Sequence, residues 1–285
     1  MRCLIGFAAG LTVLALGSAA SAGHMPYLAP LTFAPHRDMV TVQAAMSEEA
    51  HMFVPDFPIR GAGDFTVTGP DGAAVKIAAV TVLKEMAVLE APLPTEGTWR
   101  ISTGERAGRS AKWAKIDGVW RMVRGPGGPP RPAPPPGEAP RADGPIDEAA
   151  VPPSAETLTS VGTLRADLYV TRGAPKAFPK PVGQGLEIAP LSHPNDLYAG
   201  DAFRFQVLND GQPVVGAQLS IVRAGDAYAA QHFTWSGVTK GGAGEAVSFD
   251  QPGVYVIQAQ YPPRVEGAAP TAKSMTTTLT FEVSR

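Results

Sequence analysis

The 285-residue chain carries 24 Lys+Arg against 26 Asp+Glu, a formal net charge of −2 and a pI of about 6.2, with 44% hydrophobic and 18% charged residues. No Lys/Arg stripe or basic field gathers phosphates, which argues against nucleic acid as a partner. The 31 Gly and 29 Pro exceed a fifth of the residues while Lys and Glu are scarce, which excludes a helical bundle and leaves room for two ordinary β domains.

Residues 1–23 read as a secretory signal peptide. Met1-Arg2 is a short positive start, Leu4 to Leu16 is apolar, and Ser18-Ala-Ala-Ser-Ala-Gly23 is the small-residue run that a signal peptidase needs. The apolar stretch is shorter than the roughly 20 residues that span a bilayer, and no later segment reaches that length, so no direct membrane insertion is expected. Cys3, the single cysteine, falls in the part removed. The expected product is periplasmic or secreted, without thiols or a lipid anchor. Cleavage after Ala22 leaves Gly23-His24, whereas cleavage after Gly23 leaves His24 itself as the new amino terminus. In the second case its amine and ring Nδ1 can chelate a metal together, which suits the nitrogen preference of Cu(II) or Ni(II).

From residue 24 to 124 short apolar runs alternate with turn signals. Met39-Val-Thr-Val-Gln-Ala, Phe65-Thr-Val-Thr, Val75 to Val82, Ala87-Val-Leu-Glu and Thr98-Trp-Arg-Ile-Ser predict strands by their period of two and their Val/Thr content. Asp117-Gly118 predicts a two-residue hairpin turn between Lys112–Ile116 and Val119–Val123. Residues 125–155, with 11 Pro and 5 Gly, cannot form a ladder and are expected to be a semi-extended linker between domains. From residue 156 to 285 the strand pattern resumes, with Asn209-Asp-Gly211 as a tight turn and Gly241-Gly-Ala-Gly244 as a hairpin loop. The expected architecture is all-β: two immunoglobulin-like β-sandwich domains, 24–124 and 156–285, joined by the Pro-rich segment. Glu96-Gly-Thr-Trp-Arg-Ile and Pro252-Gly-Val-Tyr-Val-Ile each set a turn glycine before an inward aromatic, a faint sign of duplication.

Gly185-Leu-Glu-Ile-Ala-Pro190, His193-Pro-Asn-Asp-Leu-Tyr-Ala-Gly200, Phe205 to Pro213 and Pro252-Gly-Val-Tyr255 follow in an order that resembles an uncharacterised family of exported bacterial β-sandwich proteins labelled nickel-uptake (NikM/NikK-like) accessory proteins. The likeness extends to a histidine just after the signal peptide, here His24. It implies a first β domain, an immunoglobulin-like second one, and capture of nickel or another divalent transition metal for an uptake system, a membrane transporter or an outer-membrane receptor.

The five histidines are His24, His36, His51, His193 and His232. None is closely paired, and β scaffolds draw ligands from distant strands. The candidate metal ligands are His24 as anchor, His51 as a second nitrogen donor within Glu48-Glu-Ala-His-Met-Phe-Val-Pro-Asp56, and Asp56. Met25, Met39, Met46 and Met52 add soft thioethers that would favour Cu(I), or they fill a β core. His193 reads as a strand-entry cap and His232 as a packed or exposed ring. No Gly-x-Ser-x-Gly, His-Glu-x-x-His or phosphate-loop pattern occurs, so no enzymatic activity is expected. A different class of function, an envelope module that binds protein or glycan, would rest on Trp99, Trp113 and Trp120 or on a free sheet edge.

Overall fold

The computed structural model describes residues 24–48, 52–59, 65–125, 144–225, 233–263 and 268–285. Among them the chain is built from strands, with one 3₁₀ turn at Glu148–Ala150. Five strands form a first outer sheet: β1 (His24–Pro30), β2 (Met39–Glu48), β3 (Phe57–Pro58), β6 (Ala79–Val82) and β7 (Ala87–Pro92), in the order β1-β2-β7-β6 with β3 beside β2. Facing it are β4 (Thr66–Thr68), β5 (Ala74–Val75), β8 (Gly97–Ser102) and part of β12 (Thr157–Arg172). In chain order these occupy the A-B-E-D and C′-C-F-G positions of an immunoglobulin-like sandwich.

The second half repeats the plan. β13 (Leu186–Pro190), β14 (Ala202–Asn209) and β18 (Glu245–Ser248), with the short β15 (Gln212–Pro213), make an outer sheet. Against it lie β16 (Val215–Arg223), β17 (Thr234–Lys240), β19 (Gly253–Tyr261) and β20 (Lys273–Val283), ordered β20-β19-β16-β17. These are the A-B-E and G-F-C-C′ sheets of an immunoglobulin-like topology. The Tyr255 hydroxyl donates 2.7 Å back to Gln251 O, four residues upstream at the entry to β19, which is the tyrosine corner of such folds. Trp99 holds the same position on β8, and its indole N–H donates 3.0 Å to Thr95 O, also four residues upstream. Gly97 and Gly253, each two residues before its aromatic, both take positive φ, 133° and 153°. The faint duplication in the sequence thus falls on equivalent strands of two sandwiches.

The two sandwiches are joined through β12. Its residues Asp167–Arg172 pair antiparallel with β8, Thr157–Leu164 with β9 (Arg106–Ile116), and Val161–Leu168 run parallel to β20. Because side chains alternate across a strand, Ala166, Leu168 and Val170 enter the first core with Val42, Leu89, Trp99 and Ile101, while Tyr169 enters the second with Phe203, Phe205, Tyr255 and Phe281. A third cluster, Met25, Tyr27, Ala45 and Met52 with Val222 and Val256, seals the halves together.

This differs from the arrangement expected of the 125–155 segment. β9 turns through Asp117-Gly118, both at positive φ (51° and 82°), into β10 (Val119–Arg124). After the Pro-rich stretch, whose residues 126–143 lie outside the described ones, the chain returns as β11 (Ile146–Asp147) parallel to β10 itself. The described flanks of that segment therefore belong to one sheet, and the strand that closes the first sandwich comes after it. Composition reports that a segment cannot form a ladder; it does not report which strands the segment connects. The Gly241–Gly244 loop likewise leads from β17 in one sheet to β18 in the other rather than closing a hairpin. Gly244 sits at φ 92°, where a Cβ would lie 2.6 Å from Phe205 O, so only glycine passes there without strain.

Candidate functional site

His24 opens β1 opposite Glu48 at the end of β2. Met52–Asp56 then folds back over this end of the sheet: Asp56 N–H donates 2.9 Å to Met46 O, and the Ser47 hydroxyl donates 3.1 Å to the buried Met52 Sδ. Phe53, in the same segment, adopts φ 68°, an uncommon conformation for a bulky side chain, and its ring meets Tyr27 edge-on at 5.1 Å. The result is that Asp56 Oδ2 lies 2.7 Å from His24 Nε2, with the Phe57 ring 4.9 Å from the imidazole. The His24 side chain is 32% exposed and the Asp56 side chain 55%.

Two of the three metal-ligand candidates are thus brought together, and His51 lies outside the described residues. The contact is between Asp56 and the imidazole itself, so in this geometry the carboxylate orients the ring. No group of three or more His, Cys, Asp or Glu that could hold a metal occurs among the described residues. Met25, Met46 and Met52 are at most 6% exposed and fill cores. Trp99 is buried and supplies no stacking surface. Trp113 and Trp120 are half-buried, on the face of the β9–β10 hairpin that also carries Met122, since Trp113 pairs with Met122 and Lys115 with Trp120. No described helix is long and apolar enough to cross a membrane. His36 is exposed, and His232 lies outside the described residues.

Sequence reasoning missed a buried ionic cluster between the sandwiches. Arg100 on β8 donates to both Asp167 oxygens (Nε to Oδ1 at 3.3 Å, Nη2 to Oδ2 at 3.0 Å) and through Nη2 to Glu187 Oε1 at 2.9 Å. Arg165 Nη1 lies 2.7 Å from the same Glu187 oxygen, which also accepts Val182 N–H at 3.0 Å, while Gly183 N–H donates to Oε2 at 2.7 Å. All four side chains are at most 6% exposed. Burial works against the Arg100 charge, but Asp167 and Glu187 outweigh it and hold the guanidinium protonated more firmly than usual. Burial also pushes the neighbouring Tyr169 phenol above its ordinary range, with Arg100 opposing. The one signal in the sequence was charge inside apolar runs, as in Leu186-Glu-Ile and Trp99-Arg-Ile.

His193 sits beside this cluster as a bridge between the halves. Its Nδ1 accepts Asn195 N–H at 3.1 Å, so Nε2 carries the proton and donates to Thr98 Oγ1 at 2.9 Å, and Thr98 in turn bonds Thr171 at 2.9 Å. Burial lowers the His193 pKa, with Asp196 and a bond to the Lys176 backbone pulling the other way. The unfolded imidazole, titrating near 6.5, takes a proton that the folded one resists, so the stability tied to this bridge is complete above about pH 6.5 and is lost as pH falls through the lower folded value. The urea midpoint of the wild type should drop more between about pH 7.5 and pH 5 than that of His193→Gln. Equal pH slopes for the two proteins would show that the bridge carries no proton linkage.

Comparison with solved structures finds distant likenesses. A DUF4785 family protein from Legionella pneumophila shares 11% identity over 88% of this chain with a TM-score of 0.23, and this chain spans about half (54%) of its length. The D0-D1 domain of intimin shares 10% identity over 90% of this chain and 97% of its own, with a TM-score of 0.21. Among curated proteins none matches. A family model does match residues 21–262, most of the chain, and the protein therefore belongs to the family described as domain of unknown function DUF4198.

Proposed function

We propose that this protein is an exported metal-capture protein that holds nickel or copper at His24 and passes it to an uptake system. The observation that carries the reading is the 2.7 Å contact between Asp56 Oδ2 and His24 Nε2 at the predicted signal-cleavage point. A carboxylate on one ring nitrogen fixes the imidazole tautomer and its orientation, leaving the other nitrogen with its lone pair. That other nitrogen is Nδ1, the one able to close a chelate ring with the amine of His24, or with the backbone nitrogen of His24 and the amine of Gly23 if the cut falls one residue earlier. Nitrogen-rich chelates of this kind favour Cu(II) and Ni(II). In this reading Asp56 positions the ligand, His24 binds, and His51 supplies a second imidazole.

The test begins with the intact mass of the exported protein, which fixes its amino terminus. Competitive Ni(II), Cu(II) and Zn(II) titration of the wild type, His24→Ala and Asp56→Asn follows on that same material. One-to-one binding that His24→Ala abolishes, and that Asp56→Asn weakens by about 10- to 100-fold, is expected. Undiminished binding by His24→Ala would remove the reading.

A second reading is an envelope module that recruits a protein strand. It is favoured by β6, which among the described strands pairs with β7 alone and exposes Val80 (47%) and Val82 (66%). Unpaired apolar edges accept added strands. Absence of metal binding in the titration would bring this reading forward.

A further inference from the structure

A cleft of about 130 Å³ opens where four parts of the fold meet: the β1–β2 loop at Phe33 and Ala34, the chain following β12 at Pro175, the β13–β14 loop at Asn195, and the end of β20 at Glu282. At roughly 30 Å³ for each water's share of the liquid, that is the space of about four waters, the scale of a small organic ion. Every carboxylate of the buried cluster is answered by arginine or backbone N–H, as described above. Glu282 is the contrast. It projects from β20 half-buried, and among the described residues no hydrogen bond or ion pair reaches its carboxylate. Burial alone acts on its titration and raises its pKa. Asn195 lines the same cleft; its amide nitrogen is committed to Tyr169 O at 3.0 Å, and its Oδ1 has no partner among the described residues. Two acceptors are thus left without donors, and desolvating a carboxylate in this way is costly unless a cation offsets it.

We propose that this cleft binds a small alkylammonium ion, the Glu282 carboxylate taking the charged head and Phe33, Ala34 and Pro175 enclosing the alkyl chain. A divalent cation fits less well. Calcium draws on six to eight oxygens, usually with several carboxylates, and magnesium demands a near-ideal octahedron, whereas the lining holds a single carboxylate, with neutral Thr171, Asn195 and Ser284 and the apolar Phe33, Ala34 and Pro175 around it. An ammonium group donates up to three hydrogen bonds and carries one charge, which matches one carboxylate and one amide oxygen.

The experiment is titration of the full exported chain with n-butylammonium, followed by amide NMR shifts of Ala34, Gly173 and Ser284, which line the cleft. n-Butanol serves as the uncharged match in size, and Glu282→Gln as the variant that keeps the shape of the side chain. Saturable shifts at these amides, with affinity at least about tenfold weaker for n-butanol on the wild type and for n-butylammonium on Glu282→Gln, are expected. Equal affinity for the alcohol, equal affinity of the variant, or no saturable shift at the lining amides would each overturn the proposal. The alcohol comparison uses wild-type protein, so it stands whatever the substitution does to folding.

Discussion

Glu187→Ala is expected to lower the free energy of unfolding by about 3–5 kcal/mol, the usual cost of removing one partner from a buried ionic cluster. The size follows from what is left behind. Arg100 and Arg165 both lean on Glu187 Oε1, and the N–H groups of Val182 and Gly183 lose their acceptor with it. Asp167 can still answer Arg100 through two bonds, but Arg165 keeps no acid partner among the described residues, so one guanidinium stays buried with its charge unanswered. Urea titration at neutral pH measures the loss, and a double-substitution cycle with Arg100→Met separates the pair from the rest of the cluster. A loss below about 1 kcal/mol would mean that the cluster is solvated or rearranged, since exposed ion pairs contribute on that scale. Replacing the whole cluster with apolar residues of similar volume need not destabilise, because two desolvated charges often only break even. The cluster is better understood as fixing how β8, β12 and β13 meet than as a large net source of stability.

Leu168→Ala is the second large effect, at about 2–5 kcal/mol for deleting a fully buried leucine side chain. Leu168 is 0% exposed in the first core, yet its backbone pairs with Ile101 on one side and Thr280 on the other. Because β12 is the last strand of the first sandwich and the neighbour of β20 in the second, the loss should be felt by both. Trp99 reports on the first core and Trp235 on the second, so fluorescence of variants that keep one or the other tryptophan can follow each half. The two probes are expected to shift to lower urea together, in one transition. A second-half transition that stays at its wild-type midpoint would show that the sandwiches unfold independently and that the shared strand does not couple them.

The two functional proposals stand apart in space and chemistry. The His24–Asp56 contact lies at the start of β1 and the end of β2. The Glu282 cleft is lined by the β1–β2 loop and the end of β20. Neither needs the other, so a metal titration that fails at His24 leaves the alkylammonium experiment intact, and the reverse holds as well.

The strands were legible in the sequence because a period of two in hydrophobicity is a local property that survives any tertiary arrangement. The turns at Asp117-Gly118 and Asp210-Gly211 were legible for the same reason: both positions must take positive φ, and Asp and Gly take it most cheaply. The tyrosine corner at Tyr255 was present as Pro252-Gly-Val-Tyr, with its acceptor four residues away. Of the site, His24 was legible as a nitrogen donor at the predicted cleavage point and Asp56 as an oxygen donor close to His51 in sequence, and folding brings His24 and Asp56 into contact although they lie 32 positions apart. What only the tertiary structure decided is which surfaces meet. Alternation shows that Asp167 and Leu168 face opposite ways, but not that one meets Arg100 and Glu187 while the other enters the first core. Nor can composition reveal that the chain rejoins its own sheet after the Pro-rich segment, because pairings such as Val123 with Ile146 and Leu158 with Trp113 are set by the fit of distant faces. Glu282 looked like any strand carboxylate, and its isolation follows from the distant segments that enclose it and bring no cation.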